Sequence, residues 1–227
     1  NKYFRDFNNP RYKKFFTLHE KINYPENINT EYKAYPIPFN EEEFYSKNKN
    51  RENDFFNKNK NDNKKNYSDN ILGLTDDNKI KIYINTICAF MNTEGGRIYL
   101  GIDDRQITRG VKIEANNKDK YKLYLINLGK TIYPRTMNNI KVNYFPIKKH
   151  SEGKFINDLY IIRIKISKGN PRKLYSTRYY NYNSYLRVDS QNQNLNCDFI
   201  VDLITERTLN TNLNEEKEKN CELSLDT

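Results

Sequence analysis

The sequence predicts an α+β domain, a mixed sheet packed with helices, and three patterns carry that expectation. From Asp76 to Gly96, the residues Ile80, Ile84, Ile87, Cys88 and Met91 recur at helical spacing on one face. Directly after the Gly95-Gly96 pair, Arg97 to Ile102 reads as a strand. Further on, Leu159 to Ile166 (Leu-Tyr-Ile-Ile-Arg-Ile-Lys-Ile) alternates as a half-buried strand does. Helices and strands interleaved in this way make a sheet with helices packed on it.

The elements follow in order. Residues 1–25 form an aromatic and basic arm (Tyr3, Phe4, Phe7, Tyr12, Phe15 and Phe16 among Arg and Lys), suited to wrapping onto the domain or onto a partner. The domain itself is expected over 26–207. It opens with an extended stretch from Thr30 to Tyr35, closed by Pro36 and Pro38, which discourage a helix. An insertion at about 46–70 interrupts it. Lys47 to Asn66 holds eight Asn and six Lys in twenty residues, too little apolar content to fold. Thr75, Asp76 and Asp77 are capping candidates for the first helix, and the freedom of Gly95-Gly96 allows a tight helix-to-strand turn. The strand from Arg97 is closed by Asp103-Asp104. A second helix is expected over Lys118 to Ile132, with Pro134 just beyond it. Strands follow at Ile140 to Ile147 and Leu159 to Ile166, with short ones around Lys173–Ser176 and Tyr185–Val188. Asp198 to Arg207 reads as a last helix, before a polar tail over 208–227.

Composition bounds the function. The net charge of +10 favours a polyanionic partner; a Lys- and Asn-rich proteome produces the same excess. Cys88, Cys197 and Cys221 are too few and too scattered for a disulfide framework or a zinc finger, which suits a reducing compartment, cytoplasm or nucleus. No stretch approaches the roughly 18–20 apolar residues that span a bilayer, so no membrane is expected. Between Arg172 and Tyr185 basic and aromatic residues interleave. Arg172, Lys173, Arg178, Tyr179 and Tyr180 can pair with phosphates and stack on bases, or form an ordinary Tyr-rich strand pair. Arg187 has a similar choice between a phosphate contact and an internal salt bridge. Glu31 and Lys33 are two apart in an extended segment and leave the same face; taken alone they suit a solvated pair. Asp103 and Asp104, taken alone, suit a turn cap before Arg105.

The run from Ile87 to Asp104, Ile-Cys-Ala-Phe-Met-Asn-Thr-Glu-Gly-Gly-Arg-Ile-Tyr-Leu-Gly-Ile-Asp-Asp, resembles the signature of the Schlafen AlbA_2 family: an Ala-Phe-x-Asn-Thr-x-Gly-Gly turn, then a strand ending Gly-(hydrophobic)-Asp-Asp. Glu31-Tyr32-Lys33 is similar to the family's Glu-(aromatic)-Lys strand. Tyr185-Leu186-Arg187-Val188-Asp189-Ser190 is similar to its Tyr-x-Arg-x-x-Ser segment. The resemblance spans about residues 26 to 207, with a longer insertion than the family's usual connection.

The resemblance implies a metal-dependent endoribonuclease. Nuclease members use two carboxylates from a Glu-x4-Glu-(aromatic)-Lys motif and a third from the second Asp of the Gly-x-Asp-Asp turn. Glu26, Glu31 and Asp104 match these positions as metal ligands, with Lys33 assisting at the phosphate and Asp103 a possible substitute for Asp104. Mg²⁺ or Mn²⁺ is the implied cofactor: a hard cation on a few carboxylates can activate water and stabilise the charge of phosphodiester hydrolysis. The implied substrate is structured RNA, tRNA-like or a small-RNA precursor, with DNA as an alternative. Animal members are built from two related lobes and this chain has one recognisable copy, which implies a homodimer or a paralogous Schlafen-like subunit. The family's Cys/His zinc site has no counterpart here. Two other readings stay open: a non-catalytic RNA- or DNA-binding module, and a scaffold subunit of a larger assembly.

Overall fold

The structure, a computed structural model, describes residues 9–37, 77–178, 182–207 and 209, without the side chains of 77–79. The expected insertion at 46–70, the caps Thr75 and Asp76, the aromatics Tyr3, Phe4, Phe7, Tyr179 and Tyr180, Pro38, and nearly all of the tail lie outside these residues. In chain order the strands are β1 Phe16–Thr17, β2 Thr30–Lys33, β3 Gly96–Leu100, β4 Val111–Lys112, β5 Ile132–Tyr133, β6 Ile140–Lys148, β7 Phe155–Ile166, β8 Ser176–Thr177, β9 Tyr185–Val188 and β10 Gln191–Asn194. The helices are α1 Asp77–Asn92, α2 Lys118–Asn127 and α3 over 197–207.

The main sheet runs β1-β6-β7-β3-β2, with β4 added to β7. β6, β7 and β3 are antiparallel neighbours, whereas β1 and β2 run parallel to β6 and β3, so the sheet is mixed as expected. Side chains alternate between its faces. Ile98, Leu100, Val142, Ile162 and Ile164 face the larger core with α1 and α2, where Ile80, Ile84, Ile87, Cys88 and Met91 are all buried. Burying each such side chain contributes about 1.5–3 kcal/mol. Tyr32, Tyr99, Ile147 and Ile161 face a smaller core closed by Phe16 and Ile22. The second half of the aromatic arm thus packs on the domain, with Phe16 pairing Ile147 as part of the sheet.

The helix-to-strand turn follows from its glycines. Gly95 sits at φ +74°, and a Cβ there would meet the Ile166 carbonyl oxygen at 2.7 Å. Just before it, Asn92 ends α1 with its amide fully used. Its Oδ1 accepts the Tyr175 N–H at 2.9 Å, and its Nδ2 donates to the Tyr175 and Tyr185 carbonyls at 2.8 and 3.0 Å. The last turn of α1 therefore holds the chain at both Tyr175 and Tyr185.

Several boundaries differ from expectation. The helix expected to reach Ile132 stops at Asn127 and tightens into a 3-10 turn over Leu128–Thr131. The cause is tertiary: Ile132 and Tyr133 pair as β5 with Thr177 and Ser176, which also moves β8 later than the expected Lys173–Ser176. β7 begins earlier than Leu159, at Phe155, because it pairs back along β6 as far as Lys148. β1, β4 and β10 were not expected.

Candidate active site

Among the described residues β2 is the outermost strand of the main sheet, and one row of its peptide groups meets no neighbouring strand there. On the inner side the Arg97 and Gly101 N–H groups donate to the Asn29 and Lys33 carbonyls at 2.9 and 2.7 Å. On the outer side the residues just before the strand fold back to supply partners. Asn29 N–H donates to Asn27 Oδ1 at 2.9 Å and closes this bend. Thr30 N–H donates to the Asn27 carbonyl at 3.2 Å, and Tyr32 N–H donates to Glu26 Oε1 at 2.6 Å. Glu26 is thereby returned to the strand that carries Glu31.

Glu31 and Lys33 leave the same face of β2, towards α1, because their register partners are the core residues Ile98 and Leu100. Glu31 is buried. One of its oxygens accepts from Lys33 Nζ and the other from Arg187 Nη2. Arg187, on β9, takes the internal role of the two open to it: it is 2 % exposed and turned inward. Its Nη1 donates to Asn192 Oδ1 at 3.0 Å, and Asn192 Nδ2 donates to Thr86 Oγ1 at 2.8 Å. Its guanidinium also lies 5.4 Å from the Phe90 ring centroid. The buried charge is thus shared through a chain of satisfied groups, the condition under which such a network stabilises a single arrangement.

Burial pushes the Glu26 carboxyl above the usual glutamate range. The Glu31 charge adds to that push, while the Tyr32 N–H, Lys33 and Arg187 act against it. A raised carboxyl holds its proton more tightly than an ordinary glutamate, the direction in which general acids are tuned. Lys33 keeps part of its side chain in solvent and presents its ammonium at the same edge.

Asp103 and Asp104 are organised differently. Asp103 Oδ1 accepts the Arg105 and Ile107 N–H groups at 3.0 and 2.8 Å, and Arg109 Nε donates to its Oδ2 at 2.9 Å. Burial alone would raise this carboxyl, but the Ile107 N–H and the Arg109 guanidinium hold it below the usual carboxylate range. Asp104 is exposed at the same turn. Among the described residues no group of three or more His, Cys, Asp or Glu side chains is placed to hold a metal ion. Hard oxygen donors in neighbouring carboxylates suit Mg²⁺ or Mn²⁺, which bind through one or two carboxylates and keep several waters. Glu26 and Glu31 are donors of the right type, but a cation there would have to displace Lys33 or Arg187 from a Glu31 oxygen. The set of three, with Asp104, is not assembled.

The basic and aromatic stretch is divided. Arg172 and Lys173 are exposed on the loop between β7 and β8, whereas Arg178 is half-buried, with its N–H donated to the Thr131 carbonyl at 2.7 Å. Tyr182 is exposed and meets the Tyr133 ring edge-on at 6.4 Å between centroids. No helix among the described residues is long and apolar enough to cross a membrane.

Asn192 and Thr86, which hold Arg187 in place, escaped the sequence reading. The only signal for Asn192 was its position after the Tyr-x-Arg-x-x-Ser segment, in a Gln-Asn-Gln-Asn stretch without strand character.

A mixed-sheet α/β domain with paired glutamates, a lysine and a buried arginine at its open edge is the class that fold and site define. The family model described as Schlafen, AlbA_2 matches residues 26–196. The chain belongs to this Schlafen AlbA_2 family, and that membership points to a nucleic-acid-related function.

Proposed function

We propose that the chain is an endoribonuclease of Schlafen type, hydrolysing phosphodiester bonds in structured RNA such as a tRNA-like molecule or a small-RNA precursor. One observation carries the reading: Glu26, with its raised carboxyl, is folded back beside Glu31 and Lys33 at the open edge of the sheet. Glu26 is suited to passing a proton to or from a reacting oxygen. Lys33 offers its ammonium to a phosphate oxygen. Arg187 acts through Glu31 as a positioning residue, fixing which way that carboxylate faces. Mg²⁺ or Mn²⁺ would be held by Glu26 and Glu31, and would supply stabilisation of the charge that develops on the phosphoryl oxygens.

Cleavage of end-labelled tRNA and of a matched DNA hairpin tests this, with Mn²⁺ or EDTA, by the wild type, Glu31→Ala and Glu26→Gln. The glutamine keeps an acceptor for the Tyr32 N–H while removing the titratable group. Cutting of tRNA in Mn²⁺ but not in EDTA, lost in both variants, is the expected result. A wild-type protein that binds tRNA and never cuts it would overturn the enzymatic reading. That outcome would favour a non-catalytic binding module, a reading supported by the occupation of both Glu31 oxygens by basic side chains.

A further inference from the structure

The second face of the main sheet carries a row of like charges. Lys141 on β6, Lys165 on β7 and Arg97 on β3 stand directly opposite one another across three bonded strands. The next row on that face holds Asn143, Arg163 and Tyr99, and neither row contains an aspartate or glutamate. Like charges facing each other across a ladder lower stability, so local packing does not account for the row. Lys141 and Lys165 are exposed and Arg97 is half-buried. Among the described residues none of the three is in a salt bridge.

The surroundings extend the same charge. Arg163 donates from Nη1 to the Arg11 carbonyl at 3.2 Å and lies 4.7 Å from the Phe145 ring centroid, while its Nε is buried with no hydrogen-bond partner. Arg11 and Arg163 both bear electrostatically on Arg97. With adjacent strands about 4.8 Å apart, the row spans roughly 10 Å. Its next neighbour beyond Arg97 is Thr30 on β2, one residue before Glu31.

We propose that this row binds the phosphodiester backbone of an RNA strand and leads it across the sheet to the β2 edge, which the RNA rounds to reach Glu31 and Lys33 on the opposite face. The proposal rests on the endoribonuclease reading in taking the polyanion to be RNA. Cations fill the first row, and in the second Asn143 and Arg163 stand beside the buried Tyr99, which suits phosphates rather than an apolar partner. Lysines act there as point charges and Arg97 as a planar fork. Such contacts set position and not sequence, so the binding they supply is sequence-tolerant and falls steeply with salt.

The test is fluorescence anisotropy of labelled tRNA against the full chain over a salt series, for the wild type and for the double variant Lys141→Gln with Lys165→Gln. Both lysines are exposed, and a urea transition matching the wild type confirms the fold. Losing two phosphate contacts is expected to weaken binding about tenfold and to make the log–log salt slope shallower by about 1.5. Unchanged affinity and slope would overturn the proposal. So would a double variant that keeps tRNA affinity but loses binding to phosphatidylserine vesicles, since the face would then serve a membrane surface. Because the readout is binding, it separates from the reading on which it rests. Lysine-dependent tRNA binding by a wild type that never cuts refutes the nuclease and supports the surface.

Discussion

Glu31 and the Asp103-Asp104 pair are borne by neighbouring parallel strands, yet they are built in opposite ways. Glu31 lies within β2, facing the core, where Arg187 and Lys33 reach it from two directions. Three residues past the end of β3, Asp103 meets a different fate. At Gly101 the backbone adopts φ +94°, and a Cβ would come within 2.9 Å of the Gly110 Cα. The chain therefore leaves the sheet and returns as a hairpin, in which Ile102 bridges Thr108. Asp103 spends its oxygens on the turn and on Arg109, and Asp104 is left in solvent. A carboxylate near a strand end becomes part of a buried polar network only if the next elements bring cations to it. Here β9 does so for Glu31 with Arg187, which Asn192 of β10 holds in place.

The largest effect that can break this contrast is at Arg187. Replacing it with leucine leaves the Glu31 charge buried beside Lys33 alone. A loss of about 3–5 kcal/mol in urea-unfolding stability is expected; a loss below about 1 kcal/mol would show that the pair is not desolvated. Asp103→Ala removes two turn hydrogen bonds and a partly exposed ion pair, and the same measurement should read about 1–2 kcal/mol. A change no larger than that of Asp104→Ala would remove the turn from the account.

Glu26→Gln sharpens the comparison through pH. The folded-state carboxyl of Glu26 is raised above its unfolded value, so the folded protein binds that proton more tightly. The stability this contributes is present below the ordinary glutamate range and is lost as pH rises through the raised value. The urea midpoint of the wild type should therefore fall relative to Glu26→Gln as pH rises from the ordinary glutamate value of about 4.3 through the raised one, and parallel curves would contradict the shift. The smallest stability effect is expected at exposed Asp104, where alanine should change stability by no more than about 0.5 kcal/mol.

Much of this was legible where the signal is local. The apolar stripe of α1, the alternation of β7, the paired glycines and the shared face of Glu31 and Lys33 all follow from spacing along one segment. The shorter pieces were not. Phe16–Thr17, Val111–Lys112 and Gln191–Asn194 have no apolar alternation to announce a strand; the first two exist because a distant partner offers a ladder, the third because it folds back on the adjacent β9. Arg187 could not be assigned between phosphate and carboxylate because the choice depends on β9 packing against α1. The row of Lys141, Lys165 and Arg97 was invisible for a related reason. Only the register of three strands aligns those residues, and in sequence each is an ordinary polar position of an alternating strand. Family resemblance placed Asp104 with Glu26 and Glu31, and the kink at Gly101, which decides where the hairpin goes, is silent in the motif itself.

The central claim is that the reacting pole is the β2 edge. Single-turnover cleavage of labelled tRNA in Mn²⁺ by Glu26→Gln and by Asp104→Ala, each first shown to be folded, tests it most directly. A loss of about a hundredfold or more in Glu26→Gln, with a smaller loss in Asp104→Ala, is the result predicted. A Glu26→Gln protein that cuts at the wild-type rate, or an Asp104→Ala protein that loses more activity than Glu26→Gln, would contradict it.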